Sequence, residues 1–83
     1  MSERVKRVDT AEVDFIAIND EGEEYYQVAY TVNDADGKTL FRELAPLEKI
    51  KNHNPKYLIT MDFTPPTSHN GIKQINAIEW LLQ

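Results

Sequence analysis

The residues best placed to do chemistry are Asp14 and Gln27, which lie on two neighbouring segments of strand-forming sequence. Because side chains alternate along a strand, Glu12 shares a face with Asp14, and Ala29 shares a face with Gln27. If the two strands pair as a hairpin, the Asp14 carboxylate and the Gln27 amide oxygen converge. Carboxylates and an amide oxygen can hold Mg²⁺ together with several waters. The sequence therefore predicts a candidate metal site of Glu12, Asp14 and Gln27, suited to metal-assisted hydrolysis of a phosphodiester.

A catalytic lysine is missing from this pattern. In metal-dependent nuclease cores, which this layout resembles, a lysine two residues after the position of Gln27 orients water and stabilises charge, and Ala29 occupies that position here. The candidates for a lysine supplied from elsewhere are Lys38, Lys49, Lys51 and Lys56, and nothing in the sequence selects one. We therefore favour a structural interpretation, in which Asp14 bonds backbone groups and Gln27 is a satisfied polar residue in a sheet. We expect no cofactor beyond weak Mg²⁺.

Two strong strands must position these residues. The first is predicted over Ala11–Ile18 and the second over Glu24–Val32, with Gly22 in the turn that joins them. We expect the pair to be antiparallel. A shorter strand is predicted upstream, over Arg4–Val8.

The downstream sequence adds a crossover helix. Its apolar positions run to Ile50 with Thr39 as the cap, and Pro46 must kink the helix or split it in two. The remaining predicted elements are a strand over Tyr57–Phe63, a loop over Thr64–Gly71, a short strand over Ile72–Ile75 and a helix over Ala77–Gln83. The predicted order is β-β-β-α-β-β-α, an α/β fold with a small mixed sheet and helices packed on it.

The last helix carries one tryptophan and an apolar stripe. We expect Ile78, Leu81 and Leu82 to form its buried stripe, together with Ile75 before it. Two interpretations of Trp80 stay open. It packs in the core, or it is an interface residue that anchors another module or a second copy.

Composition limits the classes of function. The chain has 83 residues, enough for one domain or a fragment of one, and a net charge of −5, which disfavours nucleic-acid binding by this chain alone. It has no cysteine, which favours a reducing, cytoplasmic setting. No apolar run is long enough to span a membrane, and the first residues do not form a signal peptide.

Six stretches carry a resemblance to a known family: EVDFI at 12–16, YQVAY at 26–30, PLEKI at 46–50, PKYLITMD at 55–62, HNGIK at 69–73 and INAIEWLL at 75–82. In these the chain resembles the C-terminal domain, of unknown function, of a prokaryotic family of AAA-type ATPases. The resemblance implies a PD-(D/E)xK nuclease-like fold, here partial, with Asp14 at the acidic position and Gln27 at the E/Q position. Ala29 departs from the lysine of that motif.

The resemblance also implies a larger protein, with the ATPase module upstream and residues 1–83 as its C-terminal part. No P-loop spacing occurs in this chain, so we expect no ATP hydrolysis by it. The favoured function is a non-catalytic, degenerate nuclease-like accessory domain that acts in interaction or substrate recognition. The alternatives are a residual metal-dependent nuclease and a structural dimerisation element built on the sheet edge and the Trp80 helix.

Overall fold

The computed structural model describes residues 2–8, 11–34, 36–65 and 67–82. The elements in chain order are β1 (Ser2–Val8), β2 (Ala11–Asn19), β3 (Gly22–Val28), α1 (Lys38–Glu48), β4 (Lys56–Thr60), β5 (Thr67–His69), β6 (Ile72–Asn76) and α2 (Ala77–Leu82). Within these residues, six strands form one sheet in the order β1-β2-β3-β4-β6-β5. β2 runs antiparallel to both of its neighbours, β1 and β3, whereas β3, β4 and β6 are parallel, and β5 runs antiparallel to β6. The small mixed α/β fold predicted from the sequence is confirmed.

The predicted β2–β3 hairpin is confirmed. Asn19 pairs with Gly22 at its end, so Asp20 and Glu21 form a two-residue turn. Gly22 adopts a φ of 128°, which a residue with a side chain rarely adopts, and the Asn19 Oδ1 accepts a hydrogen bond from the Glu21 N–H at 2.8 Å. This turn fixes the register that brings Asp14 opposite Gln27.

The strands β3 and β4 end earlier than the sequence predicts. β3 ends at Val28 rather than Val32, and β4 ends at Thr60 rather than Phe63. The reason is that Asp62 replaces a neighbouring strand as hydrogen-bond acceptor: its carboxylate accepts bonds from the Thr31 hydroxyl and the Val32 N–H. The Asp62 side chain thus connects the segments that follow β3 and β4, beyond the last backbone hydrogen bonds between these strands.

The predicted loop over 64–71 contains a strand, β5, that the sequence analysis missed. Its three residues pair with β6 through a tight turn in which Asn70 and Gly71 have φ values of 53° and 86°. Positive φ at both central residues is the conformation that Asn-Gly favours in a two-residue hairpin. The Asn-Gly pair was therefore the available sequence signal for this hairpin. The strand itself gave none, because its three polar residues show no alternation of apolar and polar positions.

Helix α1 runs through Pro46 as one helix, so the predicted alternative in which Pro46 splits the helix in two is wrong. Pro46 lies in the last turn, where its missing N–H costs at most one helical hydrogen bond. Just after it, the Lys49 N–H bonds the Ala45 carbonyl and the Ile50 N–H bonds the Leu47 carbonyl, both at 3.2 Å. These bonds close the helix end.

The predicted Thr39 cap is also wrong. The N-cap is Gly37, with a φ of 70°, and no side chain of its own is available to cap. Instead the Asp36 carboxylate accepts a bond from the Lys38 N–H at 3.1 Å, and the Asp34 carboxylate accepts one from the Thr39 N–H at 3.3 Å. Two acids upstream thus serve the free N–H groups of the first turn.

The sheet has two differently covered faces. On one face α1 packs over an apolar core that consists of Val13, Ile16, Tyr25, Val32, Leu44, Leu47, Ile50, Leu58 and Ile72. On the other face, Tyr26 stacks on Tyr57 with ring centroids 5.0 Å apart, and Trp80 of α2 contacts Tyr26 at 5.5 Å. Adjacent residues on a strand point to opposite faces, so Tyr25 belongs to the first cluster and Tyr26 to the second. Trp80 therefore packs against the sheet.

The predicted buried stripe of α2 is wrong. Ile78, Leu81 and Leu82 are exposed. α2 has six residues, and Trp80 is the residue that contacts the sheet. At 100° per residue, Ile78 and Leu82 then fall on the opposite side of the helix. Within the described residues, no helix is long and apolar enough to cross a membrane.

Asn76 connects α2 to the sheet. Its side-chain oxygen accepts bonds from the Ile78 and Glu79 N–H groups at 2.9 and 3.1 Å, and its amide nitrogen donates to the Asp62 carbonyl at 3.1 Å. Because the Asn76 side chain is buried, water cannot easily replace it as the hydrogen-bond partner of these backbone groups. Asn76 is both the cap of α2 and the link to the end of β4.

We expect Asn76→Ala to lower the free energy of unfolding by about 1–3 kcal/mol, because it removes a helix cap and leaves buried polar groups without partners. Urea denaturation monitored by far-UV circular dichroism measures this change. The matched control is Asn33→Ala, at an exposed position, which should change stability by no more than about 0.5 kcal/mol. Equal effects of the two substitutions would contradict the role of Asn76.

Candidate functional site

The candidate site lies where β2 and β3 separate. Their ladder ends at the pair of Phe15 and Tyr26, and the next pair in register would be Asp14 and Gln27. At this point side chains replace the backbone acceptors. The Asp14 N–H donates to the Gln27 Oε1 at 2.9 Å, and the Val28 N–H donates to the Asp14 Oδ2 at 2.9 Å. Each of the two side chains thus bonds to the backbone of the opposite strand.

A third residue, Glu43 of α1, joins this pair. The Gln27 side-chain nitrogen donates to the Glu43 Oε1 at 3.3 Å. Burial, and after it the negative charge of Asp14, raise the pKa of Glu43, while the charge of Arg42 opposes the shift. The site thus contains two carboxylates that repel each other, those of Asp14 and Glu43. The neutral Gln27 amide lies between these residues and bonds to the backbone N–H of Asp14 and to the carboxylate of Glu43.

Sequence reasoning missed Glu43, although a signal was present. Glu43 lies three residues after Leu40 and four before Leu47, inside the apolar stripe with which α1 faces the sheet. A charged residue in such a stripe must meet a polar group on the surface that the helix covers. Here that polar group is Gln27.

The other predicted site residues are placed differently. Glu12 is exposed on β2, where its Cα lies opposite that of Arg7 in β1. Ala29 packs against the apolar core under α1, and its N–H donates to the Ile59 carbonyl at 3.0 Å. Among the described residues, no three His, Asp or Glu side chains form a group that could hold a metal ion.

The candidate lysines have their own positions and contacts. The crossover helix α1 returns the chain from the carboxyl end of β3 to the amino end of β4, where Lys56 pairs with Tyr25, two positions before Gln27. Lys56 lies there and donates to the carbonyls of Asn52 and Asn54 at 2.7 and 3.0 Å, and burial lowers its pKa. At the other end of α1, Lys38 is largely exposed and pairs with Asp36 at 3.8 Å.

Comparison with known proteins adds one relative. The chain is 34% identical over 79 residues to an uncharacterized protein of Haemophilus influenzae, and the match covers 95% of this chain and 18% of that relative. The chain therefore spans less than a fifth of the length of the relative that it matches. No protein-family model and no solved structure matches the chain.

The raised pKa of Glu43 leads to a prediction about pH. A carboxyl whose pKa is raised in the folded state holds its proton more tightly there than in the unfolded chain, so its ionisation lowers stability as the pH rises from 4.5, its ordinary value, through the raised pKa. Glu43→Gln removes this loss. We expect the variant to be more stable than the wild type at neutral pH, and the difference to shrink toward pH 4.

Urea unfolding at a series of pH values tests this prediction. The size of the effect is modest, because solvent screens a partly exposed carboxylate. Glu21→Gln, the same substitution in the exposed β2–β3 turn, is the matched control. A Glu43→Gln variant with the wild-type pH profile would contradict the electrostatic account of the site.

Gln27 gives a second test. Gln27→Leu removes the acceptor of the Asp14 N–H at a buried position, so we expect a loss of about 1–3 kcal/mol in the free energy of unfolding, the same with and without Mg²⁺. Lys73→Leu, a polar-to-apolar change at an exposed position of β6, is the control and should have little effect. A loss of stability that appears only with Mg²⁺ would show that Gln27 is a metal ligand.

Proposed function

We propose that this chain is a non-catalytic, degenerate nuclease-like module of an AAA-type ATPase, and that it acts in interaction or substrate recognition. One observation carries the proposal: the side chains at the two motif positions serve the backbone of the sheet. Where β2 and β3 separate, the Asp14 and Val28 N–H groups have no strand partner. The Gln27 and Asp14 side chains accept hydrogen bonds from them instead. A structural role thus accounts for both residues without catalysis.

The arrangement of oxygens supports this proposal. One carboxylate oxygen of Asp14 and the amide oxygen of Gln27 already have N–H donors at 2.9 Å, and a metal ion would have to compete with both. At the third motif position, the Ala29 methyl group packs against the core and offers no charge. Phosphodiester hydrolysis would therefore lack its lysine and two of its ligand atoms.

The length of the relative agrees with a modular role. The Haemophilus influenzae protein contains the matched segment within a much longer polypeptide, as expected if this unit works beside other domains. The proposed partners are an ATPase module of the parent protein and the protein substrates or partners that it handles. The net charge of −5 weighs against nucleic acid as a direct ligand, and the lack of cysteine fits a cytoplasmic setting.

A residual metal-dependent nuclease is the second candidate, and Glu43 is the observation in its favour. Two carboxylates, Asp14 and Glu43, lie close enough for the charge of one to raise the pKa of the other. Mg²⁺ would relieve this repulsion, with Gln27 as a neutral ligand beside it. One titration distinguishes the two candidates.

The deciding experiment is a Mg²⁺ and Mn²⁺ titration of the ¹⁵N-labelled chain followed by amide NMR. We expect no saturable shift and no paramagnetic broadening confined to Asp14, Gln27 and Glu43 at millimolar metal. The exposed acids Asp34 and Asp36 measure non-specific Mn²⁺ binding in the same spectra. Localised, saturable broadening at the site that is lost in Asp14→Asn would favour the nuclease.

A cleavage assay completes the test. We expect neither the wild type nor Ala29→Lys to nick plasmid DNA with Mg²⁺ or Mn²⁺, since the new lysine alone does not free the oxygens of Asp14 and Gln27. Cleavage by Ala29→Lys that Asp14→Ala abolishes would overturn the structural interpretation of this site.

A further inference from the structure

The side of the molecule that carries α2 exposes a large apolar surface. Nine large apolar side chains are exposed among residues 12–34, 36–65 and 67–82, and seven of them belong to α2, to the end of β3 or to the segments that follow β3 and β4. We call these seven the α2-side surface: Val28, Tyr30, Met61, Phe63, Ile78, Leu81 and Leu82. The other two are Ile18 in β2 and Phe41 in α1.

The backbone brings these residues together. The Met61 N–H donates to the Tyr30 carbonyl at 2.9 Å, so the parallel pairing of β3 and β4 continues past the ends of both strands. Val28 therefore follows Tyr26 on the same face of the sheet, which is the face that Trp80 contacts, and Tyr30 lies beside Met61 just beyond the ends of the two strands. The bond from Asn76 to the Asp62 carbonyl places the neighbouring Phe63 near the start of α2.

The side chains of this surface are strongly exposed. Tyr30 and Phe63 are each 80% exposed, and these two aromatic side chains alone present roughly 300 Å² to water. Leu81 and Leu82, at 73% and 80% exposed, add most of two leucine side chains. Contiguous apolar patches above a few hundred Å² mark interaction sites on soluble proteins. This surface is therefore suited to bind a complementary apolar surface.

The distribution of charge permits such binding. The acids of the β2–β3 turn, from Asp20 to Glu24, lie at the amino end of β3, whereas the α2-side surface lies at its carboxyl end. A partner can therefore cover the surface without burying the carboxylates of that turn. Glu79 of α2 and Asp62, between Met61 and Phe63, are the acids that lie beside the apolar residues.

The long relative indicates what covers the surface. More than four-fifths of that polypeptide lies outside the segment that matches this chain. We propose that the α2-side surface docks against an apolar face of a region corresponding to that remaining part. The inference rests on the proposed function, because it identifies the surface through which the module joins its parent protein.

The test uses a complete polypeptide. In the Haemophilus influenzae relative, the matched 79 residues are replaced by those of this chain. Hydrogen–deuterium exchange of α2 is then compared in this chimaera and in the 83-residue chain alone. We expect exchange over residues 77–82 to be at least about tenfold slower in the chimaera, because a docked helix frays less, and exchange over α1 to be unchanged.

Two variants match each other in exposure. Leu81→Asp changes a side chain that is 73% exposed within the α2-side surface, and Phe41→Asp changes one that is 75% exposed on α1. We expect Leu81→Asp to abolish the added protection of α2 in the chimaera and Phe41→Asp to leave it intact. Equal exchange in the chimaera and the isolated chain, or equal effects of both variants, would overturn the proposal.

A second measurement keeps the test decisive if the chimaera does not fold. The 83-residue chain is titrated with the relative from which the matched segment has been deleted. Saturable binding that is lost in Leu81→Asp and kept in Phe41→Asp supports the proposal, and no binding up to about 100 μM overturns it. In sedimentation velocity, self-association of the chain that Leu81→Asp abolishes would identify a second copy as the occupant and overturn the proposal too.

Failure of this proposal and failure of the proposed function give different results. Metal binding or DNA cleavage at Asp14 would overturn the non-catalytic function and leave the exchange results unaffected. Unprotected α2 in the chimaera would overturn the docking surface and leave the metal titration unaffected.

Discussion

The structure depends on a requirement of the backbone: where β2 and β3 separate, the N–H groups of Asp14 and Val28 need new acceptors. A backbone N–H that loses its strand partner needs another acceptor, and the Asp14 N–H lies at a partly buried position where an unmade bond is costly. The Gln27 amide and the Asp14 carboxylate supply the acceptors at 2.9 Å. Glu43 of α1 then bonds to Gln27, so the helix is positioned by a polar contact as well as by its apolar stripe.

The two adjacent tyrosines of β3 show how one strand supports two separate clusters. Tyr25 faces α1 and is almost fully buried, and its hydroxyl contacts Glu23 and the Asn52 and Asn54 side chains. Tyr26 faces α2, and its hydroxyl donates to Glu24. Burial, and after it the bond to Glu24, raise the pKa of Tyr26 far above its ordinary value. The tyrosine therefore stays protonated as a hydrogen-bond donor, and the same strand serves both faces of the sheet.

The sequence was sufficient to predict the parts of the fold that rest on local patterns. The β2–β3 hairpin has a turn with Gly22 between two β-rich runs, and the crossover helix has a helical apolar stripe, so both were predicted. The hairpin pattern also placed Asp14 opposite Gln27, as the register of the two strands has it. The cap of α2 by Asn76 could be predicted from the sequence, but the cap of α1 could not, because Asp34 and Asp36 act across a non-helical turn whose shape no local pattern specifies.

Two features depended on tertiary contacts and could not be predicted. The orientation of α2 follows from the contact of Trp80 with Tyr26, which lies 54 positions earlier in the chain. Without that contact, the run of apolar residues at 78, 81 and 82 looks like a buried stripe. The role of Glu43 likewise required knowing that Gln27 lies beneath α1. In both cases the missing information was which polar or aromatic group the opposite surface provides.

The contact between Trp80 and Tyr26 also has an optical consequence. Trp80 is the single tryptophan of the chain, and it rests on the face of the sheet opposite the main core. Fluorescence excited at the red edge of the indole band therefore comes from α2 alone. A change in Trp80 emission therefore reports the detachment of the six-residue α2 from the sheet. Far-UV circular dichroism reports the loss of secondary structure when the α1 core melts, so the two signals distinguish the two events.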